Sequence, residues 1–347
     1  MIMKPLFSKL ALFSLIMVIV LVSSGFSGKE SQKGHKPDKH KSVKVALLIP
    51  GPSNDGGFME SALNGLLKAQ NELKVKTSYV DNINPDIESI ATALRKLAKK
   101  KPDLIIAHAG QSTEAIKIVA KEFPKIRFVN TQGNAVGNNL SSYQVLQEES
   151  AWLAGAAAGL LTKTNIVGHI SGARVTPGFN GRAAFADGLK YTNPNATYLT
   201  TFTGNQDDAV LSKKVAQAEI NAGADIIFTM LNKARIGVTE ANRESGTFQI
   251  GNVRDYYADA PDVFIGSAIS DAGQTVYKAI KDLTEKKWAA GVVVQIGASN
   301  PDAVRLTLAP HVSKEIVDQI AELSKKIISG EIEISLKYEG PDFVVSP

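Results

Sequence analysis

The chain contains no cysteine. That removes disulfides, thiolate nucleophiles, zinc–thiolate sites and iron–sulfur clusters together, and it suits an oxidising compartment, where a stray thiol is a liability. Nucleotide and hydrolase signatures are missing too. No G-x-G-x-x-G follows the first apolar strand, and there is no G-x-x-x-x-G-K-[ST], no G-x-S-x-G and no H-E-x-x-H. Beyond residue 41 the histidines are His108, His169 and His311, far apart in sequence, so no acid–base or metal cluster is nominated. The sequence therefore points to no catalytic residue, no metal site and no cofactor. Net charge is lacking where it would matter. The formal +5 resides in residues 1–41, which hold seven Lys against Glu30 and Asp38; the remaining 32 basic and 32 acidic residues cancel. A neutral body gives no support to nucleic-acid binding.

The amino terminus is read as an export leader over residues 1–27. Lys4 and Lys9 precede an apolar run from Leu10 to Val22, broken by Ser14, and small residues Ser23, Ser24, Gly25 and Ser27 follow. The run, about 13 residues, is shorter than the roughly 20 needed to cross a bilayer. Ser24 stands where a lipoprotein box would carry its acylated cysteine, so thioether lipidation is not expected there. Residues 28–42, rich in Lys, Gly, Ser and His, read as a flexible tether, with His35 and His40 as solvated residues rather than ligands.

From Val43 onward, short β-branched apolar runs alternate with amphipathic stretches. Strands are expected at 43–49, 77–80, 104–107, 126–129, 166–170, 197–202, 225–230, 248–251, 263–265 and 291–296, with helices between them. A segment crowded with Ala and Gly, 148–162, suits a closely packed helix. Alternation of this kind implies an α/β fold with parallel sheets covered on both faces. Two runs imply two doubly wound lobes joined by a hinge, one of residues 43–148 plus about 267–300, the other of 149–266 plus about 301–347. Such sheets bind ligands beyond the carboxyl ends of their strands, which two facing lobes place across a cleft.

The loop Pro52-Ser53-Asn54-Asp55-Gly56-Gly57-Phe58 joins the first strand to the first helix. Asn54 or Asp55 is expected to cap that helix. Phe58, in its first turn at the cleft mouth, reads as a stacking platform for a flat ligand. His108 and Gly110 end the third strand and are candidates for the cleft, whereas His169 reads as a satisfied core histidine.

At Asn54-Asp55-Gly56-Gly57-Phe58-Met59 the chain resembles the basic membrane protein family, the purine-nucleoside-binding branch of type I periplasmic binding proteins of ABC transporters. The segment Glu149-Ser150-Ala151-Trp152-Leu153-Ala154-Gly155 is similar to its E-x-x-x-L-A-G signature. Further matches are Gly168-His169-Ile170-Ser171-Gly172 and Gly223-Ala224-Asp225-Ile226-Ile227-Phe228. The resemblance implies that Asn54 and Asp55 bind the ligand's polar edge while Phe58 stacks on its ring. It places Glu114 near a base-recognising acid, Phe202 or Asn205 on the ligand from the second lobe, and Gly237 where backbone approaches closely. The family's ribose-holding turn reads Gly251-Asn252-Val253-Arg254-Asp255 here, leaving Asp255 and Asn252 as candidates, and Ser270 stands where the family has a lysine. Each lost charge-assisted contact is worth about 1.5–3 kcal/mol. The expected cargo is therefore a small flat heterocycle, a purine base or nucleoside-like compound. The implied partner is an ABC permease, the implied state a monomer, and the implied location periplasmic or cell-surface. Alternatives are a ligand-sensing receptor of the same fold, a binder of a non-purine ligand such as a sugar, and a nucleoside-hydrolase-like enzyme.

Overall fold

Runs such as Lys44-Val45-Ala46-Leu47-Leu48 are apolar at every inner position, so their strands are buried on both faces rather than on one. In a computed structural model, which describes residues 42–345, these runs form two six-stranded sheets. The leader over 1–27 and nearly all of the tether over 28–42 lie outside the described residues. Among the described residues, no helix is long and apolar enough to cross a membrane.

The first sheet takes β1 (Lys44–Leu48), β2 (Lys76–Val80), β3 (Leu104–His108), β4 (Arg127–Thr131), β5 (Leu140–Val145) and β11 (Val293–Ile296), in the order β11-β5-β4-β3-β1-β2, all parallel. Successive residues of β1 serve opposite faces. Val45 and Leu47 pack with Leu66 of α1 (Phe58–Leu73) and Val276 and Ile280 of α8 (Gly273–Thr284). Ala46 and Leu48 pack with Leu94 of α2 (Ile87–Ala98) and Ile116 of α3 (Thr113–Glu122). Burying a Leu or Ile side chain in this way is worth about 1.5–3 kcal/mol, so the strand is held from both sides.

The second sheet takes β6 (Ile166–Ser171), β7 (Thr197–Phe202), β8 (Ile226–Met230), β9 (Phe248–Val253), β10 (Phe264–Ser270) and β12 (Val304–Leu308), in the order β12-β10-β9-β8-β6-β7. One face carries Trp152 of α4 (Gln147–Leu161), Phe185 of α5 (Thr176–Thr192) and Ile320 of α9 (Lys314–Ser329). The other carries Val215 of α6 (Ala209–Asn221) and Val238 of α7 (Arg235–Ser245). The small residues of α4 act as anticipated. A Cβ on Gly155 would stand 2.0 Å from the Phe185 carbonyl oxygen, and one on Gly188 2.0 Å from that of Trp152, so α4 and α5 touch backbone to backbone.

Two strands escape the sequence pattern. β5 carries Ser141, Ser142 and Gln144, and its Ser142 hydroxyl is satisfied by the Ala135 carbonyl at 2.7 Å. β12 alternates Val-Arg-Leu-Thr-Leu because it is an edge strand, and it pairs with β10 antiparallel, so the second sheet is mixed rather than purely parallel.

The chain passes between the sheets three times, after β5, after β10 and between β11 and β12. Because β10 runs in the second sheet as far as Ser270, its return falls just beyond that residue rather than near 267. The passages brace one another. Leu146 N–H donates to Ile296 O at 2.9 Å and Asp271 N–H to Ala303 O at 2.8 Å. Val145, Ile296, Ala298, Ala303 and Val304 form a small buried core between them. The Glu149 carboxylate accepts from Ala298 N–H at 2.5 Å, and burial raises its pKa.

Candidate functional site

The loop after β1 meets the loops after β8 and β9, and β3 and β4 lie beside β1 in the same parallel sheet. The contact is direct: a Cβ on Gly57, in the loop after β1, would lie 3.5 Å from Asn232 Oδ1 and 3.8 Å from the Tyr256 hydroxyl. These loops are the walls of the interlobe cleft.

On the first lobe, Asp55 is buried and organises the loop. Its Oδ1 accepts from Gly57 N–H at 2.9 Å and Glu60 N–H at 3.1 Å, and its Oδ2 from Met59 N–H at 3.0 Å. Asp55 is thus the helix-capping member of the pair, with both oxygens committed to the start of α1, and Asn54 beside it is exposed. Fixing those amides aims the first turn so that Phe58, half-buried, lies against the fully buried His108, ring centroids 4.4 Å apart and planes at 38°.

His108 Nδ1 is 2.9 Å from Thr131 Oγ1, while Nε2 has no hydrogen-bond partner. Burial pulls its pKa down to about 4, opposed only by the Phe58 backbone, so the imidazole is neutral at pH 7. Next to it, Ala109 has φ 68°, and Gln132, at the end of neighbouring β4, has φ 58°. Left-handed backbone at two adjacent non-glycine strand ends is held by its surroundings. Asn130 supplies part of the hold, donating to Ala107 O at 3.1 Å and Ala109 O at 3.2 Å while accepting from Thr113 Oγ1 at 2.9 Å. The Gln132 amide nitrogen is buried without a partner, and a buried unpaired donor costs about 1–3 kcal/mol. Gly110 follows Ala109, exposed, at the head of a short 3-10 turn.

On the second lobe, Asn252 is half-buried and accepts from Ser270 Oγ at 3.4 Å. Asp255 is exposed, accepts from Tyr257 N–H at 2.9 Å, and lines a cavity of about 240 Å³ together with Glu60, Arg254, Asp271, Asp302 and Arg305. Tyr256 is 1% exposed, its ring between the guanidinium of Arg235 at 3.8 Å and that of Arg254 at 4.1 Å. Arg254, Tyr256, Asn232 and Gln132 were not among the residues singled out from the sequence. The altered turn around Val253 was the available signal for the first two.

Four further sequence candidates have partners of their own within the protein. Phe202, at the end of edge strand β7, packs with Phe179 and lies about 5 Å from two guanidiniums, Arg174 at 4.9 Å and Arg182 at 5.0 Å. Asn205 is exposed and accepts from Asp207 N–H at 2.8 Å, shaping its own turn. Glu114 is exposed on α3 and pairs with Lys117 at 2.8 Å. Gly237 sits within α7, where a Cβ would stand 1.9 Å from Ala209 O of the segment entering α6, so the close approach it permits is helix to helix. His169 is the satisfied core histidine anticipated, with Nδ1 2.9 Å from Thr200 Oγ1 and Nε2 2.8 Å from Ser171 Oγ.

The comparisons with known proteins agree with this architecture. The chain is 27% identical to basic membrane protein A of Borreliella burgdorferi, covering 96% of this chain and 97% of the relative. It is 27% identical to the transcriptional activator protein med of Bacillus subtilis over 73% of this chain and 77% of that one. Among solved structures, an ABC transporter solute-binding protein from Aeropyrum pernix superposes with a TM-score of 0.74 at 21% identity, covering 86% of this chain and 94% of its own. A myo-inositol-binding protein from Caulobacter superposes with a TM-score of 0.59 at 16% identity, covering 82% and 98%. At these identities the structural likeness shows the fold. A family model described as ABC transporter substrate-binding protein, PnrA-like, matches residues 42–337, and the chain belongs to that family, Bmp.

Proposed function

We propose that this chain is the exported binding component of an ABC importer, and that it captures a small flat heterocycle, a purine base or nucleoside-like compound, between its lobes for delivery to a membrane permease. The observation that carries the ligand class is Phe58, half-exposed at the cleft and held against a neutral buried imidazole. A rigidly mounted aromatic face stacks on a planar ring in a sequence-tolerant, non-ionic way. Asn54 beside it, the unpaired Gln132 amide and the neutral His108 supply hydrogen-bonding groups of the kind a heterocycle's edge needs. Asp255 and Asn252 are the groups on the second lobe left to meet a ribose or its replacement.

The family is one of ABC transporter substrate-binding proteins, which is what supports capture over chemistry. Titration calorimetry against purine bases, nucleosides and sugars tests the reading. Binding confined to purine-like compounds supports it; binding of none of them overturns the ligand class.

A second reading is a sugar or cyclitol as cargo, favoured by the myo-inositol-binding neighbour and by a D-arabinose complex from Agrobacterium radiobacter at TM-score 0.60. The same panel separates the two. Native mass spectrometry of the purified protein would identify a retained ligand by its added mass.

A further inference from the structure

We propose that Arg254 and Tyr256 form a latch that favours closure of the two lobes through contacts of the protein itself. Both residues follow β9 of the second sheet, and both donate to one acceptor on the first lobe, the Gly56 carbonyl: Arg254 Nε at 3.2 Å and Tyr256 Oη at 3.2 Å. Gly56 belongs to the loop that Asp55 organises and that carries Phe58. The same two bonds therefore close the cleft and fix one of its walls.

The latch is built on a strained turn. Arg254 N–H donates to Asn252 O at 3.0 Å across Val253, whose φ is 75°. A three-residue turn of this hand is rare, and for a β-branched residue a positive φ is a true outlier. Such strain persists where surrounding contacts over-determine it and gathers at switch regions. Here the contacts are plain. Arg254 is paired with Asp259 at 2.6 Å, Tyr256 N–H donates to Ser267 Oγ at 3.2 Å, and the Tyr256 ring is clamped between the guanidiniums of Arg235 and Arg254. The turn thus delivers a preorganised pair of donors to the opposite lobe, and ordering cost is met before closure.

One consequence is a bias toward the closed form that does not depend on the cargo, slowing release as well as entry. A ligand that must pass this closure meets a shifted open–closed equilibrium rather than a fresh one.

The test needs no knowledge of the cargo, so it stands apart from the ligand reading. Full-length protein, freed of any co-purified molecule by reversible unfolding, is compared with Tyr256→Phe and Arg254→Ala by small-angle X-ray scattering and by distance measurement between spin labels on the two lobes. Tyr256→Phe keeps the ring between its guanidiniums and so preserves the fold while removing one donor. The expected result is a larger radius of gyration and a longer interlobe distance in both variants. The closed-to-open ratio should fall by about five-fold for Tyr256→Phe and about ten-fold or more for Arg254→Ala. Arg254→Lys, which keeps charge but not the Nε geometry, should lie between. Scattering and label distances identical to the unaltered protein, in variants with unchanged thermal unfolding, would overturn the latch.

Discussion

Phe58 and His108 are in ring-to-ring contact, centroids 4.4 Å apart, although one belongs to the first turn of α1 and the other to the end of β3. The contact backs one side of the Phe58 ring, which stays partly exposed. Phe58→Ala is therefore expected to weaken binding of an aromatic ligand by at least about 1 kcal/mol while changing sugar binding little. Calorimetry with both ligand types reads the difference; equal affinity for the aromatic ligand would remove Phe58 from the site.

Two buried histidines make stability fall with acid. His108 is pulled down to about 4 and His169 to about 3 from an ordinary 6.5, in each case chiefly by burial. The unfolded chain then binds more protons between those values, so stability is present above pH 6.5 and is lost as pH falls toward the folded pKa values. At pH 5 each histidine accounts for roughly 2 kcal/mol of loss. Buried Glu219 pulls the other way, since burial raises its pKa well above the usual range. Urea unfolding at pH 7 and pH 5 should show a shallower loss in His169→Gln than in the unaltered chain. An identical pH slope would refute the assignment.

The carboxyl-terminal segment is expected to be a stabilising strap on the second lobe. Asp342 is ion-paired with Arg174 and, at 2.7 Å, with Arg182, and Phe343 N–H donates to Thr200 O of edge strand β7 at 2.8 Å. An edge covered in this way is shielded from pairing with other chains. Asp342→Ala leaves Arg182, largely buried, without its counter-charge, and should cost about 1–2 kcal/mol in urea unfolding. A chain cut after Gly330 should aggregate on warming at lower temperature than the full chain, followed by light scattering.

Gly237→Ala separates packing from binding. The added methyl meets Ala209 O at a distance no contact tolerates, so the expected outcome is a loss of about 1–3 kcal/mol in stability. Ligand affinity measured on the remaining folded fraction should be unchanged. A selective loss of affinity without loss of stability would place Gly237 at the ligand instead.

The alternation of apolar β-branched runs with amphipathic stretches made the two-lobed α/β plan legible, because buried parallel strands must be apolar on both faces. The strands missed are those that break that condition: β5 buries polar residues, its Ser142 hydroxyl bonded to the Ala135 carbonyl, and β12 is an antiparallel edge. The neighbourhood of Phe58 and His108, whose rings do meet, was readable because each is an unusual residue at a helix's start or a strand's end. Arg254 and Tyr256 were not, since their roles rest on a carbonyl 198 and 200 positions away. Glu114 and Gly237 entered only through the family resemblance, and what the fold does with them, an i,i+3 ion pair and a helix crossing, depends on neighbours that a motif match does not report.

The three passages between the sheets also govern the order in which the molecule can come into being. The first lobe needs β11, Val293–Ile296, and the second needs β12 and α9, made later still. During synthesis, neither sheet has all its strands until nearly the whole chain has emerged. A protein assembled this way stays incompletely folded through most of its production, which is the state that passage through a secretion channel requires.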